Sequence, residues 1–328
     1  MPTIMKWFLS VLTLVAALSL NGPPAALAAG DVLSSTFPIY LFAKNVAQGS
    51  DTFEVGLMIE STIGCPHDYA PTPGDLERLS QADVLIMNGL GLEEFLPRAL
   101  RVAKDDLKII DASGGQAEAL ASPASTSLIV DRRTVMAMPH IINGPNPHLF
   151  AAPTTAAAMV RNIAEGLAIL DPDKAALYRT NAARLAGEME AVATAMKRAG
   201  QALGNPKVIV SHGVFDFMAK DMGLNIVAAI EEADGAGPSA ARLAELAKLA
   251  REQGVRAIMV DPDGDIKTAR TLGAEARVPV VVIDPVSAGP ADAPLDYYQK
   301  VMLTNAQVLL ELFTKPQPAA VPKKSSKK

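Results

Sequence analysis

A chain of 328 residues exceeds what one hydrophobic core commonly serves, and its 49% apolar and 20% charged residues describe a globular protein, not a disordered one. The formal charge is −5; without Lys6 it is −6, and without the five lysines that follow Thr314 the body stands near −11. That balance excludes a nucleic-acid binder, and a single cysteine, Cys65, excludes an intrachain disulfide.

Residues 1–28 read as a secretory signal peptide: Lys6, an apolar run from Trp7 to about Leu20, then small residues at Ala26 and Ala28. The run is too short to span a bilayer, and no cysteine stands at the cut to carry a lipid. The expectation is export to the periplasm with cleavage near Ala28 or Ala29.

From Asp31, short apolar runs alternate with amphipathic stretches. FEVGLMI (53–59), DVLIMNG (83–89) and LKIIDAS (107–113) read as buried parallel strands. TPGDLERLSQA and LEEFLPRALRVA between them read as helices, the first opened by Thr72 or Pro73. Ser113–Pro147 is poor in periodicity and is expected to be a long loop with short structure at most. The alternation returns after Asn205 in KVIVSHG, LNIVAAIEE, VRAIMVDPD and VPVVVIDPV.

Between the halves, Thr154 to Leu203 reads as helical, broken once at Asp171-Pro172, where an aspartate N-cap and a first-turn proline predict a helix of roughly 30 residues. The fold class expected is α/β: two lobes with parallel sheets joined by one long rigid helix. The boundaries read as 30–170 for the first lobe, 171–204 for the linking helix and 205–314 for the second lobe. Residues 315–328 read as a disordered basic tail. A stiff helical link predicts small tilts between the lobes and not wide closure.

The chain has four histidines. His67, His148 and His212 lie in GCPHDY, NPHLF and VSHGVF, beside strand ends or proline-fixed loops, and Asp284 directly follows VPVVVI. Groups beyond the carboxyl ends of strands in open α/β sheets converge on the ligand crevice. Three imidazoles and a carboxylate suit a borderline metal such as zinc. By spacing alone each histidine is equally a hydrogen-bonded structural side chain, and Asp284 a helix cap. Cys65, two residues before His67, reads as a small buried apolar residue or, less commonly, as a soft ligand. His140 reads as a solvated loop residue; Asp261 and Asp263 read as a turn with helix-capping aspartates that reaches the site from outside; Glu231 and Glu232 read as a solvated loop.

STFPIYLFAKNVAQG followed by CPHDYAPTPGDLERLSQADVLIMNGLGLEEFL closely resembles the cluster A-I metal-binding proteins of ABC importers. The similarity continues through NPHLFAAPTTAAAMVRNIAEGLAILDPDKAALYRTNAARL, VIVSHGVFDFMAKDMGL, GPSAARLAELAKLAREQGVRAIMVDP, VVVIDPVS and YYQKVMLTNAQVLLELF. The resemblance implies two α/β lobes on one long helix with a metal between them, held by His67, His148, His212 and Asp284. It implies capture of a divalent metal by a non-enzymatic, monomeric binding protein and delivery to an ABC permease. Histidine at the third position, where manganese carriers tend to have glutamate, favours Zn2+ over Mn2+ or Fe2+. A chelate binder, a periplasmic metallochaperone, an adhesin and a zinc hydrolase are the other classes weighed. A hydrolase would need an open metal position and a nearby base, and neither His-Glu-x-x-His nor Gly-x-Ser-x-Gly occurs. The chain departs from the family at Ala70, usually glutamate, at Asn146-Pro147-His148-Leu149-Phe150 for D-P-H-x-W, and at Ala151-Ala152-Pro153 for L-D-P.

Overall fold

The computed structural model describes residues 30–67, 69–114, 128–137, 144–231 and 237–314. The expected signal peptide, His140, Glu232 and the basic tail lie outside them.

Strands β1 (Gly30–Ser34), β2 (Phe53–Leu57), β3 (Val84–Met87), β4 (Lys108–Asp111) and β5 (Ile129–Val130) form one sheet in the order β2-β1-β3-β4-β5. All its pairings are parallel except the β4–β5 edge. Strands β6 (Lys207–Val210), β7 (Asn225–Ala229), β8 (Ala257–Val260) and β9 (Val280–Val282) form a second, wholly parallel sheet in the order β7-β6-β8-β9. Both halves therefore repeat one topology, in which the first strand lies between the second and third. Strand order reverses beside β1 and beside β6, and that is where an open α/β sheet leaves its crevice.

Side chains alternate across each strand and so sort into three cores. Val84 and Ile86 of β3, with Val208, Val210 and Met259 of the other sheet, face one continuous inner core shared by both halves. Leu85 and Met87 face an outer core of the first lobe, while Ile209, Ile258 and Val260 face an outer core of the second. The near-continuous apolar strand sequences follow from burial on both faces.

The helix Pro73–Gln81 begins as its sequence predicts, with Thr72 and Asp75 forming a capping box behind Pro73. The next helix is shorter than expected, Leu96–Ala99 followed by a single tighter turn to Val102. Glu93 is drawn away to the backbone N–H groups of Asn88 and Gly89 and the hydroxyl of Ser35. Within the expected long loop, β5 and the Arg132–Met136 helix capped by Asp131 are the short structure present among the described residues.

Helix Pro153–Leu170 is followed by a turn at Pro172–Lys174 and the 28-residue helix Ala175–Ala202. The break falls at Asp171-Pro172 as the sequence suggests, but Asp171 does not cap the second helix with its side chain. Its buried carboxylate instead accepts from the Tyr178 hydroxyl at 2.7 Å. Alanines and methionines along the 28-residue helix enter the shared core, and the final helix, Tyr297–Thr314, packs beside it. Across the seam, Phe42 meets Tyr298 edge to face at 5.3 Å between ring centroids, and the Tyr298 hydroxyl donates to the Phe150 carbonyl at 2.8 Å. Among the described residues no helix is long and apolar enough to cross a membrane.

The long helix approaches its neighbour most closely at Gly200, where a β-carbon would fall 1.4 Å from the Met222 carbonyl oxygen. Gly187, in the same helix, has nothing within 4 Å of its β-carbon position. Gly200→Ala is therefore expected to lower unfolding free energy by at least the upper part of the ~1–3 kcal/mol range for overpacking. Gly187→Ala should raise it by roughly 0.5–1 kcal/mol. Urea unfolding of both variants checks the pair; equal effects would contradict the packing described.

Candidate metal centre

His148 is the centre of the site. It follows Pro147 and precedes the turn Leu149–Ala151, and it is 4% exposed, the most enclosed of the three described histidines. The Asn146 side-chain oxygen accepts from the His148 backbone N–H at 3.0 Å and from its ring Nδ1 at 2.8 Å. With Nδ1 committed as a donor, the tautomer is fixed and the Nε2 lone pair faces the site. The Asn146 amide nitrogen donates to the Gly213 carbonyl at 2.7 Å and to the Asp216 carboxylate at 2.9 Å. One side chain thus orients a first-lobe imidazole and grips the second-lobe turn that follows His212.

Around Nε2 of His148 the other donors gather. His67 Nε2 lies 3.2 Å away and Cys65 Sγ 2.9 Å away. The His212 ring centroid is 5.5 Å from that of His148, and the donor atoms of Cys65, His148 and His212 all lie within 4.8 Å of one another. The structure therefore brings His67, His148 and His212 together. It adds Cys65, the only cysteine, to the group.

His212 comes two residues after β6, whose end aims it into the seam. Its Nδ1 is 3.4 Å from the Ser211 hydroxyl and 3.6 Å from Asp261, and Ser211 donates to the same Asp261 oxygen at 2.8 Å. Asp261 thus reaches the site from behind His212. The helix-capping aspartate of this turn is Asp265, which accepts from Thr268 N at 2.9 Å. His67 Nδ1 lies 3.7 Å from Glu94, an equivalent outer carboxylate in the first lobe.

Asp284 stands apart from the mutually close donors. It lines an adjoining cleft of about 200 Å³ with Asp261, Asp263, Ser287 and Tyr297. Its Oδ1 accepts from Val286 N at 2.7 Å, while Oδ2 accepts no hydrogen bond among the described residues. Its backbone is pinned by Asn305, which accepts from Asp284 N and donates to Asp284 O. Ala70, in the place of the family glutamate, is exposed. Glu231, expected to be solvated, is half-buried.

Burial dominates the electrostatics. It lowers His148 well below the ordinary histidine value, with the neighbouring His212 and His67 adding to the effect. It lowers His212 too, against the opposing pull of Asp261. Burial, then the negative charges of Asp261 and Glu231, push the Cys65 thiol far up, so it is protonated in the metal-free protein. Burial also raises Asp284, and the nearby Asp263 and Asp261 add to the rise. His148 and His212 held toward the neutral form, near Asp284 with its carboxyl pushed up, make a site that gains from a cation.

Comparison with known proteins places this geometry in a class. The fold is that of metal-binding solute-binding proteins: it superposes on a ZnuA crystal structure with a TM-score of 0.69 at 26% identity, covering 87% of this chain and all of the other. The FpvC solute-binding protein of Pseudomonas aeruginosa, solved with Mn2+, gives 0.70 at 23% identity over 87% of this chain and 98% of its own. The chain belongs to the family described as zinc-uptake complex component A, periplasmic, which matches residues 32–312. Among relatives, the zinc-binding lipoprotein AdcA of Streptococcus pneumoniae is 28% identical over 90% of this chain. The chain spans only 58% of that relative's length. The high-affinity zinc uptake protein ZnuA of Bacillus subtilis is 26% identical over 77% of each chain.

The histidines were legible in the sequence from strand ends and prolines. The bridging role of Asn146 was not, because its partners Gly213 and Asp216 are 67 and 70 residues away. Cys65 carried one signal, its two-residue spacing from His67.

Two outcomes test this geometry. In the metal-free protein the His148 ring should remain neutral at pH 6, below the ordinary value of about 6.5. Imidazole NMR checks this, and titration of that ring near 6.5 would contradict its burial. Asn146→Asp removes both amide donors and places a carboxylate against Asp216 and the Gly213 carbonyl. Zinc affinity should fall by ~10–100-fold in chelator competition, the usual cost of losing a partner that orients a ligand.

Proposed function

We propose that this protein captures zinc outside the cytoplasm and delivers it to the permease of an ABC-type importer. His67, His148 and His212 are its nitrogen ligands, and Asp284 turns in from the adjoining cleft to supply an oxygen. The observation that supports this reading most is the convergence of imidazoles on the buried His148, whose tautomer is set so that its lone pair faces two other donors. Neutral nitrogen donors with one carboxylate suit zinc better than manganese or iron, which favour more oxygen. Family membership and the zinc-binding relatives support the same cargo.

A site filled by protein ligands leaves no open position for an activated water, which supports binding and release over catalysis. The shared core and the 28-residue helix support a transport cycle with small lobe tilts, and the protein acts as a monomer. Export through a cleaved segment near residues 1–28 fits the periplasmic family.

The purified protein is expected to bind one zinc per chain more tightly than manganese, as measured by competition titration. His212→Ala should weaken zinc by about 100-fold or more, beyond the loss expected for an outer partner, while His140→Ala changes it little. No tight zinc site, equal preference for manganese, or the reverse pattern between the two variants would refute the assignment.

A further inference from the structure

The set His67, His148, His212 and Asp284 leaves one donor at the centre of the site without a role. Cys65 Sγ lies closer to His148 Nε2, at 2.9 Å, than does His67 Nε2, at 3.2 Å. The geometry points to Cys65 as a sulfur ligand of the captured ion, so that the first lobe supplies one sulfur and two nitrogens to a zinc-like, thiophilic divalent cation. This inference rests on the reading of the histidine cluster as the cargo site and narrows the class of cargo it accepts.

The local sequence produces the arrangement. Pro66 biases Cys65 toward extended backbone, and in an extended segment residues two apart project on the same side. Cys65 and His67 are therefore presented together to His148. In the metal-free protein the Cys65 S–H is within hydrogen-bond reach of the His148 Nε2 lone pair, so the two atoms that would take the ion already face one another. His148 Nε2 is the atom left for a metal once Nδ1 has donated to Asn146.

The spacings suit coordination. Zinc–nitrogen bonds of about 2.0–2.1 Å and a zinc–sulfur bond of about 2.3 Å, arranged tetrahedrally, set nitrogen pairs about 3.4 Å apart and nitrogen–sulfur pairs about 3.6 Å apart. The observed 3.2 Å and 2.9 Å require the donors to part by tenths of an ångström. His212 completes the group from the other lobe, since its donor lies within 4.8 Å of both Cys65 and His148.

Charge balance favours the same set. Three neutral imidazoles leave a buried dication uncompensated, and an uncompensated buried charge is costly. A Cys65 thiolate, with the Asp284 carboxylate turning in as a fifth ligand, neutralises both charges. Coordination forms the metal–sulfur bond and breaks the S–H bond, with the proton passing to solvent; no electron changes hands. Thiolate favours zinc-like ions, whereas manganese suits oxygen donors.

Titrating the purified protein with Co2+ and then displacing it with Zn2+ tests this. The expected result is a near-ultraviolet sulfur-to-cobalt charge-transfer band that grows in step with the visible d–d bands. Cys65→Ser should keep the d–d bands and lose the charge-transfer band. Its zinc affinity should fall by at least ~10–100-fold, with a smaller loss for Mn2+. Visible d–d bands without charge transfer in the unsubstituted protein would overturn the sulfur ligand and leave the histidine site standing. Failure to bind either cobalt or zinc would overturn both.

Discussion

Imidazole and thiol groups crowd their lone pairs into one small space at the seam, and the rest of the structure is arranged around that crowding. In the metal-free protein the Cys65 S–H can donate weakly to the His148 Nε2 lone pair, with His67 Nε2 close beside it, so the nitrogen and sulfur donors stand about 3 Å apart. Burial disfavours both protonating His148 and ionising Cys65. A divalent cation satisfies every lone pair together. The same low-dielectric surroundings that burden the empty site strengthen the filled one.

Holding such a site requires a frame that does not relax around it. Two sheets of the same topology face a single inner core, and the Ala175–Ala202 helix runs through that core with Gly200 pressed against the Met222 carbonyl. Phe42, Tyr298 and Phe150 lock the seam on the side of the final helix. Asn146 does so at the metal, joining the ring of His148 to the turn beyond His212. Asp284 has its backbone fixed by Asn305 and one carboxylate oxygen unengaged among the described residues.

Local patterns made much of this legible in advance. Short apolar strands, the Thr72–Asp75 capping box and the break at Asp171-Pro172 are governed by neighbours within a few residues, so sequence shows them directly. Strand ends and prolines mark where the histidines stand, but spacing left each equally a structural side chain, and it was the family resemblance that singled them out as ligands. What escaped depends on distant partners. Tyr178 claims the Asp171 carboxylate that would otherwise cap a helix, and Glu93 caps backbone at Asn88 and Gly89, shortening the helix it was expected to begin. The repeat of strand order in the two halves left no sequence repeat, because burial on both faces constrains apolarity and not residue identity. Cys65 and Asn146 were visible as residues, yet their roles exist only where two lobes meet.

In the proposed function the cation sits at the converging nitrogen and sulfur donors, with Asp284 turning toward it, and not within the acidic cleft that Asp284 shares with Asp261 and Asp263. Anomalous diffraction at the zinc edge from zinc-loaded crystals tests it most directly. One peak is expected at bonding distance, about 2.0–2.3 Å, from the donor nitrogens of His67, His148 and His212 and, with the sulfur ligand, from Cys65 Sγ. A peak confined to the acidic cleft, or none at the imidazoles, would contradict it.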